Sequence, residues 1–414
     1  MTDVAPTQRR PGPLVFKPRR WWFNGVAPSG AGYLSRALPV RRVVRYSARF
    51  VLGSRSCQFG PLVLPGVWVG QSVRRPLHRR ADLVGGYAML GFVIGTGRCG
   101  STLVHEVLAR HPEVGFVSNL DDKLSTLDLD GRWNNVLLRR AAPRDPRLGP
   151  FRDRPRLVER GRLRVAPSEG WQVLERQVSP ILSRPHRDLV ASDATPWLEA
   201  RLRRFFERRM AAQGRPVFLH HVTGWPRAGL LHAVFPDARF IHVVRDGRAV
   251  ANSLLQTSWW TGHQGPSNWD FGPLPEPYAK EWEASGQSYV LLAGLSWKLL
   301  LDAFEAARAA IPCSQWLEVR YEDVLADPGG QIAAMLEFLG LPWTSDFDAG
   351  FSRYVFETGR REAFRRDLDA DNLALLEQSL AGHLKAYRYA TATGPTEKGQ
   401  SLEPVPRLLR RSRL

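Results

Sequence analysis

A glycine-rich segment that joins an apolar run to a helix-like stretch constrains the fold of this chain more than any other feature. Residues 90–109 read LGFVIGTGRCGSTLVHEVLA, in which GFVI is typical of a buried strand and a helix is predicted to begin near Ser101. Glycines let successive backbone N–H groups turn toward one anion, and the N-terminus of a helix adds partial positive charge. The segment therefore predicts a phosphate-binding turn between a strand and a helix.

The residues of this turn indicate which phosphate it binds. Gly95 and Gly100 have the spacing of a Walker A loop, but Ser101 stands where that loop has its lysine. Because that lysine reaches the terminal phosphates of ATP, its absence favours a nucleotide with a single 5′-phosphate-linked group. Arg98 supplies positive charge from inside the loop. A P-loop kinase that uses ATP stays an alternative, and the lack of an evident acidic strand end for Mg²⁺ counts against it.

Beyond this segment, apolar runs alternate with helix-like stretches. Such runs lie at residues 87–94, 216–221, 238–244 and 315–319. The alternation predicts an α/β domain with a parallel sheet flanked by helices on both faces. We predict a domain over residues 88–390 with an arginine-rich insert at 130–185, an irregular basic N-terminal extension over 1–87 and a basic tail over 391–414.

A second segment predicts another anion site. Residues 235–255 read FPDARFIHVVRDGRAVANSLL, a strand that ends at Arg245 and a helix that Asp246 can cap. An arginine at the carboxyl end of a strand lies in the crevice where open α/β sheets bind ligands. Ser253, two helical turns along, can bind the anion that the arginine holds. In the alternative interpretation, Arg245 pairs with Asp246 on the surface and Ser253 has no special role.

In this order and spacing, the two segments resemble the nucleotide-binding signatures of the sulfotransferase family, in particular its bacterial members. That family uses 3′-phosphoadenosine 5′-phosphosulfate (PAPS). Matches at residues 111–114 (HPEV), 223–227 (TGWPR) and 318–328 (EVRYEDVLADP) strengthen the resemblance. It implies a P-loop NTPase-like three-layer fold and transfer of a sulfuryl group from PAPS to a hydroxyl or amine of an acceptor.

The resemblance also implies roles for individual residues. Arg245 and Ser253 would hold the 3′-phosphate, and Arg360 with Arg361 resembles a late basic loop over the same phosphate. Arg98 is suited to stabilising the leaving phosphate, and the scheme needs no metal. The loop that would hold the 5′-phosphosulfate comprises Gly97, Arg98, Cys99, Gly100, Ser101 and Thr102.

Two departures from the family pattern bear on catalysis. The loop reads RCGST where relatives usually have R-S-G-T-T, and His221 stands where many relatives carry a lysine. For the catalytic base, Asp121 and Asp122 lie near the position where relatives often place a carboxylate, and His221 is the rival candidate. The alternatives are a solvated loop or helix cap for the aspartates and an ordinary strand-end histidine for His221. Asp193 is a lesser candidate.

Charge and composition limit the partners. The net charge of +18 lies largely at the two ends of the chain, which predicts an anionic partner, including peripheral contact with anionic lipid headgroups. Nucleic acid is not expected, because aromatic and basic residues are not interleaved. Three cysteines without metal-type spacing and the absence of a signal-type segment favour a cytoplasmic protein.

The expected acceptor is a sugar, a lipid or a small natural product. The tryptophan-rich segment 257–278 is the predicted acceptor region, because aromatic side chains of an ordered loop can stack on a flat ligand. In the alternative, its tryptophans anchor the loop to the core. A non-catalytic anion-binding protein of the same fold stays a second alternative to the enzyme.

Overall fold

The computed structural model describes residues 88–141, 143, 158–159, 162–356 and 360–390. The predicted N-terminal extension, the C-terminal tail and part of the predicted insert lie outside the described residues. The expectation that the basic ends contact a membrane therefore stays a prediction.

The centre of the described chain is a five-stranded sheet in the order β2-β5-β1-β6-β7, in which every neighbouring pair is parallel. A two-stranded antiparallel hairpin, β3-β4, lies within the predicted insert. The strands are β1 (Met89–Gly95), β2 (Val114–Gly115), β3 (Val158–Glu159), β4 (Arg162–Leu163), β5 (Val217–Thr223), β6 (Arg239–Val244) and β7 (Trp316–Arg320).

Fourteen α-helices are present within the described residues. They are α1 (Ser101–Ala109), α2 (Asn119–Lys123), α3 (Asn134–Arg140), α4 (Trp171–Gln177), α5 (Pro196–Gln213), α6 (Ala228–Val234), α7 (Gly247–Leu255), α8 (Glu276–Ala284), α9 (Tyr289–Ala310), α10 (Tyr321–Ala326), α11 (Pro328–Phe338), α12 (Ser345–Phe351), α13 (Phe364–Asp367) and α14 (Ala370–Ala386).

Both faces of the sheet are buried under helices, as the alternation of β1 shows. Phe92 and Ile94 belong to a core that includes residues of α5 and α6, whereas Val93 points to the opposite face and packs with α1 and α11. Phe92 stacks on Phe240 of β6 with 5.4 Å between the ring centroids. Burial on both faces explains why these strands read as continuous apolar runs. The predicted α/β fold, with its P-loop NTPase-like three layers, is confirmed.

Helix α9 accounts for the most apolar run of the sequence. Its residues 291–301 are all buried, and the fully buried Trp297 packs with α7 and α14. The charge of Lys298 in the same run is balanced by an ion pair with Glu281 of α8. The Nζ of Lys298 lies 2.8 Å from the Oε2 of Glu281. The run therefore forms a core helix. No helix in the described part of the chain combines the length and apolar character needed to cross a bilayer.

The parallel arrangement brings the carboxyl ends of the long strands to one edge of the sheet. Gly95 of β1 pairs with Thr223 of β5, and Val244 of β6 pairs with Arg320 of β7. All four predicted strands are confirmed. Strand β2, which begins at the last residue of the HPEV match, was not predicted, because a two-residue strand is too short to carry a periodic pattern.

Candidate active site at the carboxyl edge of the sheet

The predicted phosphate loop leads from β1 into α1 through three residues in the left-handed region. Gly97, Arg98 and Gly100 have φ values of 82°, 54° and 90°. This backbone turns N–H groups toward one side, and the first turn of α1 adds N–H groups that have no partner within the helix. The helix begins at Ser101, as predicted. The loop therefore has the backbone of an anion-binding turn.

Two glycines of this segment are required by packing. A Cβ at Gly100 would lie 2.2 Å from ring atoms of Tyr321, and one at Gly95 would lie 2.4 Å from the sulfur of Cys99. At Gly97, in contrast, a Cβ would meet nothing within 4 Å. The loop is thus closely packed on the protein side at Gly100 and open at Gly97, where a ligand can approach.

Arginines from three segments meet beside the loop. The Nε of Arg98 donates to Oγ of Ser253 over 2.9 Å, and Nη1 of Arg245 donates to the carbonyl oxygen of Arg98 over 3.0 Å. The Nη2 of Arg245 donates to the carbonyl oxygen of Arg360 over 3.3 Å, and Arg360 in turn donates to Gln256. We call Arg98, Arg245, Arg360 and Ser253 the arginine cluster. The structure therefore brings together the residues predicted for the 3′-phosphate.

The surface ion pair considered for Arg245 is not what the structure shows. Asp246 caps α7, as predicted, by accepting from the N–H of Arg248 over 2.9 Å, and it also pairs with the side chain of Arg248 over 2.8 Å. The guanidinium of Arg245 lies 5.3 Å from the ring centroid of Tyr321. Its Nε is buried without a hydrogen-bond partner in the described structure. A buried donor of this kind is available to an anionic ligand.

The segment EVRYEDV packs against the arginine cluster and the phosphate loop. Tyr321, the first residue after β7, contacts both the loop at Gly100 and the guanidinium of Arg245. Glu322 accepts from the backbone N–H of Asp246 over 3.2 Å and from the hydroxyl of Tyr389 over 2.9 Å. The motif thus fixes the turn between β6 and α7.

A second group of polar side chains lies on the β5 side of the loop. The Oγ of Ser101 lies 2.9 Å from Nε2 of His221, and Nδ1 of His221 lies 3.8 Å from Oε1 of Glu169. Thr223, at the end of β5, donates a short hydrogen bond to the same carboxylate oxygen. We call Ser101, Glu169, His221 and Thr223 the β5 cluster. It connects the phosphate loop to a carboxylate through one imidazole ring.

Burial keeps the histidines of this region uncharged. Loss of solvation lowers the pKa of His221 to about 3, and burial together with the neighbouring His221 lowers the pKa of His105 to about 3. His221 therefore cannot supply at pH 7 the positive charge of the lysine found in many relatives. Glu106 of α1 is buried beside His105, because this helix is covered on sides that a single amphipathic stripe would leave exposed.

The two predicted aspartates have structural partners. Asp121 is buried, completes a capping box with Ser118 at the start of α2 and accepts from Asn134 over 2.6 Å. Asp122 accepts from the N–H groups of Gln172 and Val173 at the start of α4, over 2.8 and 3.2 Å. Both correspond to the helix-cap alternative. The structure gives no contact between them and the phosphate loop.

Asp193, the lesser candidate for the catalytic base, also has a structural partner. It lies in a 3₁₀ helix, where Arg187 donates to both of its carboxylate oxygens. This ion pair lowers the pKa of Asp193 to about 2.

Comparison with known proteins decides the family. The sequence profile of the sulfotransferase family matches residues 92–345, which is more than half of the chain. The chain belongs to the sulfotransferase family. The match begins in β1 and ends at the start of α12, so that it includes the loop, the whole β5 cluster and the arginine cluster except Arg360.

Individual relatives of this sulfotransferase are remote. It is 24% identical over 189 residues to an ω-hydroxy-β-dihydromenaquinone-9 sulfotransferase, Stf3, of Mycobacterium bovis, a match that covers 45% of this chain and 44% of that protein. The same values hold for Stf3 of Mycobacterium tuberculosis. The matched segment thus spans less than half of the length of these curated relatives.

Two solved structures are also similar. The sulfotransferase STF1 of Mycobacterium tuberculosis shares 17% identity, with 71% of this chain and 77% of that chain covered at a TM-score of 0.41. The sulfotransferase domain of the Synechococcus olefin synthase shares 17% identity, with 70% and 94% covered at a TM-score of 0.37.

The sequence did not identify Glu169 as a candidate for the site of this sulfotransferase. It lies in the segment PSEGW of the predicted insert, for which no fold could be predicted. The signal in the sequence was the turn-like segment SEG before α4. Its glycine, Gly170, has a φ of 67° in the structure. A charged residue in a tight turn before a helix is a common place for a functional side chain. Nothing in the sequence indicated that this turn lies beside β5.

The predicted acceptor segment divides into anchors and an exposed residue. Trp260, Trp269 and Phe271 are buried in the core formed with α7, α9 and α14. Trp259 is 42% exposed. The anchoring alternative therefore holds for most of the aromatic residues, and Trp259 is the tryptophan of this segment that a ligand can reach.

Metal ligands and thiols are the remaining side chains to consider among the residues that the structure describes. They contain no group of three or more histidine, cysteine, aspartate or glutamate side chains placed to hold a metal ion. Cys99 is buried with its sulfur 3.4 Å from Oγ of Ser101, and Cys313 is exposed, both as free thiols. Thr102 is exposed in the first turn of α1.

Proposed function

We propose that this protein transfers the sulfuryl group of PAPS to a hydroxyl, or an amine, of an acceptor. The observation that carries the proposal is the position of the arginine cluster at the end of β6, in contact with the phosphate loop at the end of β1. Two anion sites on one edge of a sheet suit a nucleotide with phosphates at both the 5′ and the 3′ position. Family membership supports the sulfuryl group as the group transferred.

In this proposal the loop binds the 5′-phosphosulfate and the arginine cluster binds the 3′-phosphate. The N–H groups of the loop and of α1 stabilise the negative charge that develops on the leaving phosphate. Arg98 lies between the two sites, since its backbone carbonyl accepts from Arg245 and its side chain donates to Ser253. The enzyme would act chiefly by positioning donor and acceptor and by neutralising charge, as in phosphoryl transfer.

For the acceptor we propose a hydroxyl of a lipid, a sugar or a small natural product. The relatives from Mycobacterium carry the name of an enzyme that acts on a hydroxylated dihydromenaquinone. A terminal hydroxyl on an isoprenoid quinone is therefore a suitable first probe, together with a sugar and an aliphatic alcohol.

Calorimetry with adenosine 3′,5′-bisphosphate, AMP and ATP tests the donor site. The wild type should prefer the bisphosphate, and Arg245→Ala should weaken its binding roughly 10- to 100-fold, because hydrogen bonds to charged groups contribute about 1.5–3 kcal/mol. Arg239→Ala is the matched control, since Arg239 begins the strand β6 that ends just before Arg245. Preference for ATP would favour a kinase, and lack of nucleotide binding would favour a non-catalytic protein.

A further inference from the structure

The proposed transfer to a hydroxyl needs a group that takes the acceptor proton, and the structure distinguishes between the side chains that could do so. Asp121 is buried in its capping box, and Asp122 binds the first N–H groups of α4. His221 is buried and has a pKa of about 3, which makes it a weak base. Glu169 differs from all three, because 28% of its side chain is exposed while it contacts β5.

The position of Glu169 is set by contacts to the edge of the sheet that carries the loop. Its Oε1 accepts from the hydroxyl of Thr223, and Thr223 pairs in register with Gly95, where the loop begins. The same oxygen lies 3.8 Å from Nδ1 of His221, whose Nε2 lies 2.9 Å from Oγ of Ser101. The carboxylate is therefore attached to the same edge as the phosphate loop.

Neighbouring side chains hold this carboxylate in one orientation. The indole Nε1 of Trp171 donates to Oε2 of Glu169 over 2.6 Å, and the guanidinium of Arg227 lies 5.0 Å from the Trp171 ring centroid. Arg227 is itself buried, and its Nη1 donates to the carbonyl oxygen of Thr223 over 3.0 Å. The TGWPR match thus closes a ring of contacts from β5 through Arg227 and Trp171 to Glu169. Orientation of this kind is what a proton-accepting group requires.

We propose that Glu169 accepts the proton of the acceptor hydroxyl during sulfuryl transfer, an inference that rests on the proposed function. The acceptor oxygen forms a bond to sulfur while the bond between sulfur and the bridging phosphate oxygen breaks. The electron pair of that bond leaves with adenosine 3′,5′-bisphosphate, and the acceptor proton passes to a carboxylate oxygen of Glu169. Release to water returns Glu169 to its ionised form.

Transfer from sulfur-labelled PAPS to acceptors of different acidity tests this role. The probes are water, 1-octanol and 4-nitrophenol at a pH where the phenol is ionised and has no proton to lose. In Glu169→Gln, transfer to water and to 1-octanol should fall about 10²- to 10⁴-fold, whereas transfer to the ionised phenol should stay within about threefold.

Two controls separate this inference from the proposed function. Glu169→Gln should bind adenosine 3′,5′-bisphosphate as the wild type does, and Glu283→Gln, which changes an exposed glutamate of α8, should leave every rate unchanged. Equal loss with all acceptors, or wild-type transfer to 1-octanol, would overturn the role of Glu169 while the donor site stands. A wild type that binds the bisphosphate but transfers the sulfuryl group to none of the three probes would also overturn the role of Glu169. Lack of bisphosphate binding would instead reject the proposed function itself.

Discussion

The arginine cluster and the β5 cluster flank the same phosphate loop but differ in charge and in burial. Arg98, Arg245 and Ser253 are partly exposed. Among the described contacts, Arg245 donates to two backbone carbonyls and Arg98 donates to the hydroxyl of Ser253. In the β5 cluster, Ser101 and His221 are buried, and His221 is uncharged at neutral pH. The arginine cluster thus presents fixed positive charge to a ligand. The β5 cluster presents the oriented carboxylate of Glu169 next to the uncharged ring of His221.

This difference suggests a division of labour between the two sides. Positive charge beside the loop serves the binding of an anionic donor, and its loss should reduce affinity. An oriented carboxylate beside a neutral ring serves proton transfer, and its loss should reduce rate while affinity stays. Changes on the two sides should therefore separate affinity from rate, and changes in the shared loop should affect both.

The largest effect is expected from Gly100→Ala, in the loop that both clusters share. The new Cβ would lie 2.2 Å from the Tyr321 ring at a φ of 90°. Left-handed strain and overpacking together should cost about 4 kcal/mol of unfolding free energy. Gly97→Ala has a similar φ of 82° but open space, so that it should cost about 1 kcal/mol. Urea unfolding of both variants measures the difference, and equal losses would show that packing on Tyr321 is unimportant.

The second largest effect is expected from acidic pH, which should lower the free energy of unfolding through the buried histidines. Because burial holds the pKa of His105 and His221 at about 3, the unfolded chain binds protons below pH 6.5 that the native state does not. Stability should therefore fall as the pH decreases from 6.5, by about 2 kcal/mol at pH 5 for each histidine. Asp188 acts in the opposite direction, because burial raises its pKa to about 6 and the native state takes up its proton first. Together these three groups should lower the unfolding free energy by about 3 kcal/mol between pH 7 and pH 5.

Urea unfolding at pH 7 and pH 5 measures this loss, with two variants as references. His221→Gln should remove about 2 kcal/mol of the difference. His186→Gln changes an exposed histidine and should leave it unchanged. A wild type that is equally stable at both pH values would contradict the uncharged state of the buried histidines.

A smaller effect, on stability and rate but not on donor affinity, is expected for Asp122→Ala. Loss of the bonds to Gln172 and Val173 at the start of α4 should cost about 1 kcal/mol of stability and displace the neighbouring Glu169 turn. Sulfuryl transfer should fall about tenfold, and calorimetry should show unchanged affinity for adenosine 3′,5′-bisphosphate. Thr195→Ala removes the cap of α5 and is the matched control, with similar stability loss and no loss of rate. Reduced affinity in Asp122→Ala would contradict the separation of the two sides.

The smallest effect is expected for Ser253→Ala in the arginine cluster. Removal of the hydroxyl that accepts from Arg98 should weaken binding of the bisphosphate about fivefold, in line with about 1 kcal/mol for a hydrogen bond. Ser296→Ala is the control, since the hydroxyl of Ser296 donates to the Ala293 carbonyl within α9. Unchanged affinity in Ser253→Ala would remove this serine from the 3′-phosphate site.

Much of the fold, and the pair Arg245 and Ser253 within the arginine cluster, could be predicted because their signals are local. The four long strands are continuous apolar runs, the turn at Gly97 and Gly100 needs left-handed backbone, and Asp246 caps the helix that it precedes. Arg245 and Ser253 are joined by one strand end and two turns of one helix. Such relations depend on a few consecutive residues, and therefore the sequence alone determines them.

The β5 cluster and the charge of its histidine were decided by the tertiary structure. Glu169 and Thr223 are separated by 54 residues, and Ser101 and His221 by 120. Their contacts depend on how the turn before α4 packs against the end of β5. The pKa of His221 depends on the loss of water around it, which follows from helices covering that face of the sheet. Burial and contacts of this kind arise only when distant segments pack together, and no local pattern encodes them.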